Sequence, residues 1–383
     1  MRTARRVLGA VAIAVVVPLT LAAPSGAQPV DRSAAPDGAR TGGLLVIGHR
    51  GAPGYRPEHT LASYELAARM GADNVECDAV STADHVLVCR HENDISGTTD
   101  VAHHPEFAGR RTTKTVDGVR LTGWFTEDFT LAELKTLRAV ERLPGVRQEN
   151  TLYDGLSDVP TVDEYLALRQ HLSQVLHRQV GAYIETKHPT YFDSVGLSLE
   201  EPLLADLREA HLDRPGAPVF LESFETANLR ELDQDGVAAP LVQLLAATGA
   251  PADLVAAGDP RTYADLSTAA GLAGIAEYAD AVGPDKTQVI PLRPDGTLGE
   301  PTSFVADAHA AGLLVHPYTF RDENTFLPAD LRKGEDPADF GDALTEQRRY
   351  WETGIDGMFA DQPDTAVLSR DLYADGVIAD AVG

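Results

Sequence analysis

With 383 residues, 43% of them hydrophobic, and a formal net charge of −26, the chain has enough apolar side chain for one large core. That much negative charge sets aside nucleic acid and anionic membrane surfaces as partners, because both are polyanions. An anionic small-molecule substrate would need positive charge supplied locally, by a metal or by a few placed arginines and lysines.

In chain order, Arg2, Arg5 and Arg6 precede an apolar run from Val7 to Ala23 and the small residues Ser25-Gly26-Ala27. Residues 1–27 therefore read as a signal peptide. The run is at the short end for a membrane span and contains Pro18, so export with cleavage near Gln28 is expected, with no stable membrane anchor left behind. Cleavage removes three arginines and no acid, which makes the mature charge −29. Residues 28–42 are small, polar and proline-containing, and read as a flexible leader.

The folded domain is expected over 43–373. Its strand candidates are 44–49, 74–80, 86–91, 182–187, 218–224, 239–245, 287–291, 313–318 and 357–361. Segments with helical apolar spacing lie between many of them, among them Thr60 to Met70, Leu199 to Ala210, Thr226 to Asp233 and Pro301 to Ala311. The alternation predicts a parallel sheet with crossover helices. A TIM-type (β/α)8 barrel fits best, ahead of an open doubly wound sheet, because no glycine-rich phosphate or dinucleotide fingerprint follows any strand. Residues 95–158, rich in Gly, Arg, Thr and Asp at first and helix-like at 130–140, are expected as an insertion on the functional rim.

Four polar clusters fall at expected strand ends: Gly48-His49-Arg50-Gly51, Arg56-Pro57-Glu58-His59-Thr60, Val75-Glu76-Cys77-Asp78 and Cys89-Arg90-His91-Glu92. In a barrel the carboxyl ends of the strands open onto one face, so these clusters should converge. Glu76 and Asp78 are two apart on a strand, so both point to one side, and two such carboxylates suit a hard divalent cation or an exposed acidic edge. Glu185 and Lys187 repeat the spacing, either as a third ligand with a phosphate-neutralising neighbour or as a structural ion pair. His49 and His91 each close an apolar run and suit an acid/base pair, with a satisfied core histidine as the alternative. Arg50 offers a fork for phosphate. Cys77 and Cys89 would be bridged in an oxidising compartment, or buried as free thiols in strands.

These residues resemble the glycerophosphodiester phosphodiesterases, and more narrowly their exported, periplasmic type. The resemblance runs from His49-Arg50-Gly51 to Asp361-Gln362-Pro363-Asp364 and rests on HRGAPGYRPEHTLASYELAARMGAD, the Glu-x-Asp strand, the following histidine, Glu185-x-Lys187, Ser223-Phe224 and DAHAAGLLVHPYTFR at 307–321. It implies a TIM-type barrel with an insertion after the second catalytic histidine. His49 and His91 are implied as the catalytic pair, with base given to His49 and acid to His91. Glu76, Asp78 and Glu185 are implied as ligands of calcium, with magnesium possible on the same oxygens. Arg50 and Lys187 would meet the phosphate, and Glu58 would border the site by shaping it or bonding the glycerol. Phe224 and Tyr318 would line the glycerol pocket. The implied reaction converts glycerophosphodiesters such as glycerophosphocholine and glycerophosphoethanolamine to sn-glycerol 3-phosphate and an alcohol.

Two positions depart from the family pattern. Glu222 stands where glutamine is usual before Ser-Phe, and Gln362 replaces a common phenylalanine. Rival expectations are an exported phosphodiesterase acting on glycerophosphate polymers such as teichoic acid or on lysophospholipids, a catalytically dead binding protein that keeps the metal, and a glycosidase with paired carboxylates. The retained histidines and carboxylates weigh against the second, and the histidine pair with its neighbouring arginine against the third.

Overall fold

A computed structural model describes residues 43–376. The expected signal peptide and the whole of the expected leader lie outside the described residues. Eleven strands occur among them: β1 Leu45–Gly48, β2 Asn74–Ser81, β3 Leu87–Cys89, β4 Thr112–Val116, β5 Val119–Gly123, β6 Gly181–Thr186, β7 Val219–Ser223, β8 Leu241–Leu245, β9 Ala281–Pro284, β10 Leu314–Val315 and β11 Gly357–Ala360. Eight of these are parallel staves, in the order β1-β2-β6-β7-β8-β9-β10, with β11 returning to pair with β1. Beyond Val315 the seam with β11 is carried by single bonds. Phe359 N donates to Pro317 O (3.1 Å) and Phe320 N to Phe359 O (2.8 Å), so the barrel is nearly closed.

The helices begin where the chain supplies caps. Thr60 accepts from Ser63 N to start Leu61–Arg69, and Thr161 with Glu164 forms a reciprocal capping box ahead of Val162–Val175. Apolar faces of these helices, with those of Glu200–Glu209, Thr226–Gln234 and Phe304–Ala310, pack against the outer face of the staves in one continuous core. A second cluster fills the barrel interior: Ile47, Tyr183, Phe220, Val242, Ala281 and Phe359. The alternation along each strand divides the residues between these two cores.

Two expected strands behave differently. The run 287–291 is not a stave. Asp285 caps a helical turn, Lys286–Val289, by accepting from Thr287 N, and the stave is the preceding Ala281–Pro284, whose small residues carry little strand signal. The run 86–91 shortens to β3, which lies antiparallel on β2 outside the barrel order. Cys77 and Cys89 are bonded across this pair, with Cα atoms 5.3 Å apart. Cys77 faces away from the interior, so the bridge fastens β3, and the turn that follows it, to the outside of the wall that bears Glu76 and Asp78.

Residues 95–158 form short 3-10 turns, the hairpin β4–β5 and the brief helix Leu131–Leu134. The hairpin turns at Asp117-Gly118, both with positive φ (48° and 78°), the geometry that two-residue hairpin turns require. Its tip returns to the barrel, where Asp117 Oδ2 lies 2.5 Å from His188 Nδ1, just past β6.

Candidate active site

Strand register builds the acidic centre. Asp78 is the neighbour of Glu185 across β2–β6, and Glu185 is the neighbour of Glu222 across β6–β7, so three carboxylates stand side by side in one layer. Glu76 lies one inward position earlier. Ligand oxygens of Glu76, Asp78 and Glu185 lie within 4.8 Å of one another, and all three residues are buried. The backbone N of Arg50 donates to Glu76 Oε2 at 2.7 Å, with Arg50 held at φ 54°. That left-handed conformation, costly for a non-glycine residue, aims the amide at the carboxylate. Gly51 follows at φ 92°, where a Cβ would fall 2.7 Å from the Ser63 backbone.

Burial, then carboxylate neighbours, push Glu76 and Glu185 well above the usual carboxylate range; for Glu76 the first such neighbour is Asp78, while Lys187 opposes the rise at Glu185. Asp78 goes the other way. Burial works to raise it, but His59 and Lys187 outweigh that and hold it low. Asp78 Oδ1 is buried with no hydrogen-bond partner. An orphaned carboxylate oxygen among buried acids is what a hard divalent cation would satisfy, so the residues present fit such an ion.

His49 and His91 line the same cavity as the three acids, with Arg50, Phe224, Tyr318 and Arg321, around a volume of about 270 Å³. His49 Nδ1 lies 2.5 Å from Asp361 Oδ1, while Nε2 points toward Glu76 at 4.0 Å. Burial, then Arg50, lowers the His49 pKa to about 4. His91 is half-buried with Nδ1 2.9 Å from Glu92 Oε1, and burial, Arg50 and Lys187 lower it to about 3. Both imidazoles are therefore neutral at pH 7 in the free site.

Lys187 Nζ reaches Glu185 Oε1 at 2.9 Å and sits 5.5 Å over the Phe224 ring. Phe224 and Tyr318 meet edge to face at 5.9 Å. Glu58 does not line the cavity. It shapes the site from behind, accepting from Arg50 Nη1 (3.0 Å) and from Arg142 Nε (2.6 Å) of the 95–158 segment, and so holds the Arg50 fork in place. Glu222 does line the cavity, with both carboxylate oxygens buried and unpartnered. Gln362 is buried; its Oε1 accepts from Asp322 N.

Four further residues, His59, Asp361, Arg147 and Arg321, hold the site, and none was among the sequence candidates. His59 bonds Asp78 Oδ2 (2.9 Å) and the Tyr64 hydroxyl (2.8 Å) through its two ring nitrogens. Asp361, fully buried, takes Arg147 Nη2 at 2.6 Å and Arg321 Nε at 2.7 Å on the oxygen that His49 does not use. Arg147 also pairs with Glu323 and donates to Pro53 O. His59 and Asp361 were in view within Pro-Glu-His-Thr and Asp-x-Pro-Asp, whereas Arg147 carries no local sequence signal.

Acids, imidazoles and an arginine converging at the carboxyl mouth of a parallel barrel place this chain in the class of α/β-barrel phosphodiester hydrolases. The sequence narrows that class. Residues 49–365 match the glycerophosphoryl diester phosphodiesterase family, and the chain belongs to it. A glycerophosphodiester phosphodiesterase of Arabidopsis thaliana is 35% identical over 329 residues, 82% of each chain. One of Haemophilus influenzae is 29% identical over 84% of this chain and 88% of its own. Among solved structures, a Silicibacter pomeroyi protein aligns with TM-score 0.62 at 22% identity, over 88% of this chain and 97% of its own. An Oleispira antarctica phosphodiesterase, solved with its product sn-glycerol-3-phosphate, aligns with TM-score 0.55 at 19% identity, over 87% and 99%. These two structures share the barrel fold.

Proposed function

We propose that this enzyme is an exported, divalent-metal-dependent hydrolase of glycerophosphodiesters such as glycerophosphocholine and glycerophosphoethanolamine, releasing sn-glycerol 3-phosphate and the alcohol. The observation that carries this reading is the shared cavity: three carboxylates with ligand oxygens within 4.8 Å, the imidazoles of His49 and His91, and the Arg50 cation around one space, with Lys187 bound to Glu185 at its edge. The product named for the Oleispira antarctica structure supports the glycerol 3-phosphate half. Export rests on the character of residues 1–27 and agrees with the Cys77–Cys89 bond.

Glu76, Asp78 and Glu185 would hold calcium, or magnesium on the same oxygens, and a cation there supplies positive charge to a phosphoryl oxygen. Arg50 and Lys187 bind the remaining phosphoryl charge. His49, with Nδ1 engaged by Asp361, presents Nε2 to take the proton of the attacking oxygen, which belongs to water or to the substrate's glycerol 2-hydroxyl. Attack forms a new P–O bond and breaks the P–O bond to the departing alcohol; where the 2-hydroxyl attacks, the product is a cyclic phosphate, and water then adds to phosphorus and breaks the P–O2 bond to give glycerol 3-phosphate. His91, whose Nδ1 faces Glu92, delivers a proton to that alkoxide from Nε2. The bound phosphodiester anion offsets Arg50 and Lys187, which lets His91 take up the proton it donates. Phe224 and Tyr318 wall the glycerol.

A substrate panel with chelation tests the proposal. Glycerophosphocholine and glycerophosphoethanolamine should both yield glycerol 3-phosphate, lose turnover in chelator and regain it with calcium or magnesium. Turnover confined to a glycerophosphate polymer or a lysophospholipid would move the assignment to those substrates.

A further inference from the structure

A second cavity of about 430 Å³ adjoins the first and shares Glu185 and Phe224 with it. Its walls come from the ends of β6 and β7, from the loop and helix after β8, and from the β4–β5 hairpin tip. The two spaces therefore meet beside the Glu185–Lys187 pair, where the phosphate is expected to bind. A phosphodiester has two alcohols, and a phosphate held at that junction with glycerol against Tyr318 directs its other alcohol into the second cavity.

The lining has a particular chemistry. Phe224 and Tyr263 meet edge to face at 6.1 Å and form an aromatic corner, and Ala250, Ala252, Val255 and Ala256 add small apolar wall. Asp117 and His188 face each other at 2.5 Å, His188 Nε2 also reaches Glu92 Oε2 at 3.0 Å, and Lys187 is matched by Glu185. Glu225 is the acid left over. It is 3% exposed; one oxygen accepts from Thr190 N and Oγ1, while Oε1 is buried with no hydrogen-bond partner. Burial raises Glu225 to about 7 despite those Thr190 bonds, which fits a carboxylate that has no cation of its own. Acids thus outnumber cations beside an aromatic corner, an arrangement that favours an ammonium group over a neutral polyol.

We propose that the second cavity is the subsite for the departing alcohol and that Glu225 with the Phe224–Tyr263 corner selects a cationic headgroup of the choline or ethanolamine class. The inference rests on the glycerophosphodiesterase reading and goes beyond it by assigning the headgroup side.

The test compares kcat/KM for glycerophosphocholine and for glycerophosphoglycerol on the same preparation, so that the ratio is independent of the folded fraction. The wild-type enzyme should favour the choline ester about tenfold, the effect of roughly 1.4 kcal/mol. Glu225→Gln should lower the choline ester's kcat/KM toward that of glycerophosphoglycerol and leave the neutral substrate within about twofold. As a second measurement, choline should inhibit glycerophosphoglycerol hydrolysis competitively, while the neutral isostere 3,3-dimethylbutan-1-ol should not, and Glu225→Gln should erase that difference. A ratio near one in the wild-type enzyme, or a ratio unchanged in Glu225→Gln, overturns the subsite. Absence of glycerol 3-phosphate from both substrates would instead overturn the reading on which it rests.

Discussion

The barrel interior holds two layers built by the same strands, and they bury opposite things. Toward the amino ends lie Ile47, Tyr183, Phe220, Val242 and Phe359, with Tyr183 stacked on Phe220 at 4.9 Å and Phe359 edge-on to Tyr183 at 5.0 Å. Two residues further along β6 and β7, the same faces carry Glu185 and Glu222. The apolar layer is satisfied by packing except at His316, which bonds the Tyr183 hydroxyl through Nδ1 (2.8 Å) and leaves Nε2 as a single buried unpartnered atom. The acidic layer leaves Asp78 Oδ1, both Glu222 oxygens and Arg50 Nε without hydrogen-bond partners, Arg50 Nε keeping only an ion pair to Asp78 Oδ2 at 3.6 Å. One layer is built for stability. The other bears electrostatic cost that a ligand would relieve.

The contrast breaks most readily at the histidines. His49→Ala and His91→Ala should each lower kcat by roughly a thousandfold while the melting transition stays in place. A loss below tenfold in either, measured by glycerol 3-phosphate release, would remove that side chain from the proposed chemistry. In the apolar layer, Phe220→Ala should cost about 3–5 kcal/mol of unfolding free energy, read by denaturant titration. A cost under 1 kcal/mol would show that the layer does not support the fold.

His316 sharpens the comparison through pH. Burial lowers its pKa to about 4 from an ordinary value of 6.5, so the folded protein refuses a proton that the unfolded chain accepts. Its contribution is therefore fully present above pH 6.5, is lost as pH falls toward 4, and amounts to about 3 kcal/mol. The difference in stability between wild type and His316→Gln should shrink over that window; a constant difference would contradict the assignment.

Asp361→Asn should reduce kcat on the order of a hundredfold with a smaller change in KM, because His49 loses the carboxylate that orients it. An effect confined to KM would point to substrate binding instead. The smallest effect is expected at Glu222. Burial, then Glu76 and Glu185, raise its pKa well above the usual range, so its contribution to stability becomes less favourable as pH rises above 4.5. Glu222→Gln should stabilise the metal-free protein at pH 7 by about 1 kcal/mol in a thermal melt. Destabilisation would mean that the carboxylate meets a donor.

Much of this was legible in sequence, for physical reasons. Strands with β-branched runs, such as Tyr183 to Thr186, and helices opened by Thr60 and Thr161 declare themselves locally. Ala281–Pro284 does not, because small residues pack between neighbours without a propensity of their own, and the β-rich 287–291 run drew the assignment instead. Whereas His91 reaches the same mouth from β3, which lies antiparallel outside the barrel, the acids stood on strands at period-two spacing and His49 at a strand end, so their convergence followed from barrel geometry. The supports did not. Arg147 meets Asp361 across 214 positions and Arg142 meets Glu58 across 84, and contacts of that separation leave no local pattern.

The central claim is that Glu76, Asp78 and Glu185 form one cation site serving the reaction. Calorimetric titration of calcium into the wild-type enzyme and into a Glu76→Gln, Asp78→Asn, Glu185→Gln variant measures it directly, with circular dichroism confirming that both are folded. The account predicts one ion bound per wild-type chain and none by the variant, with glycerol 3-phosphate release lost in parallel. Equal calcium binding by a folded variant that still turns over glycerophosphocholine would contradict it.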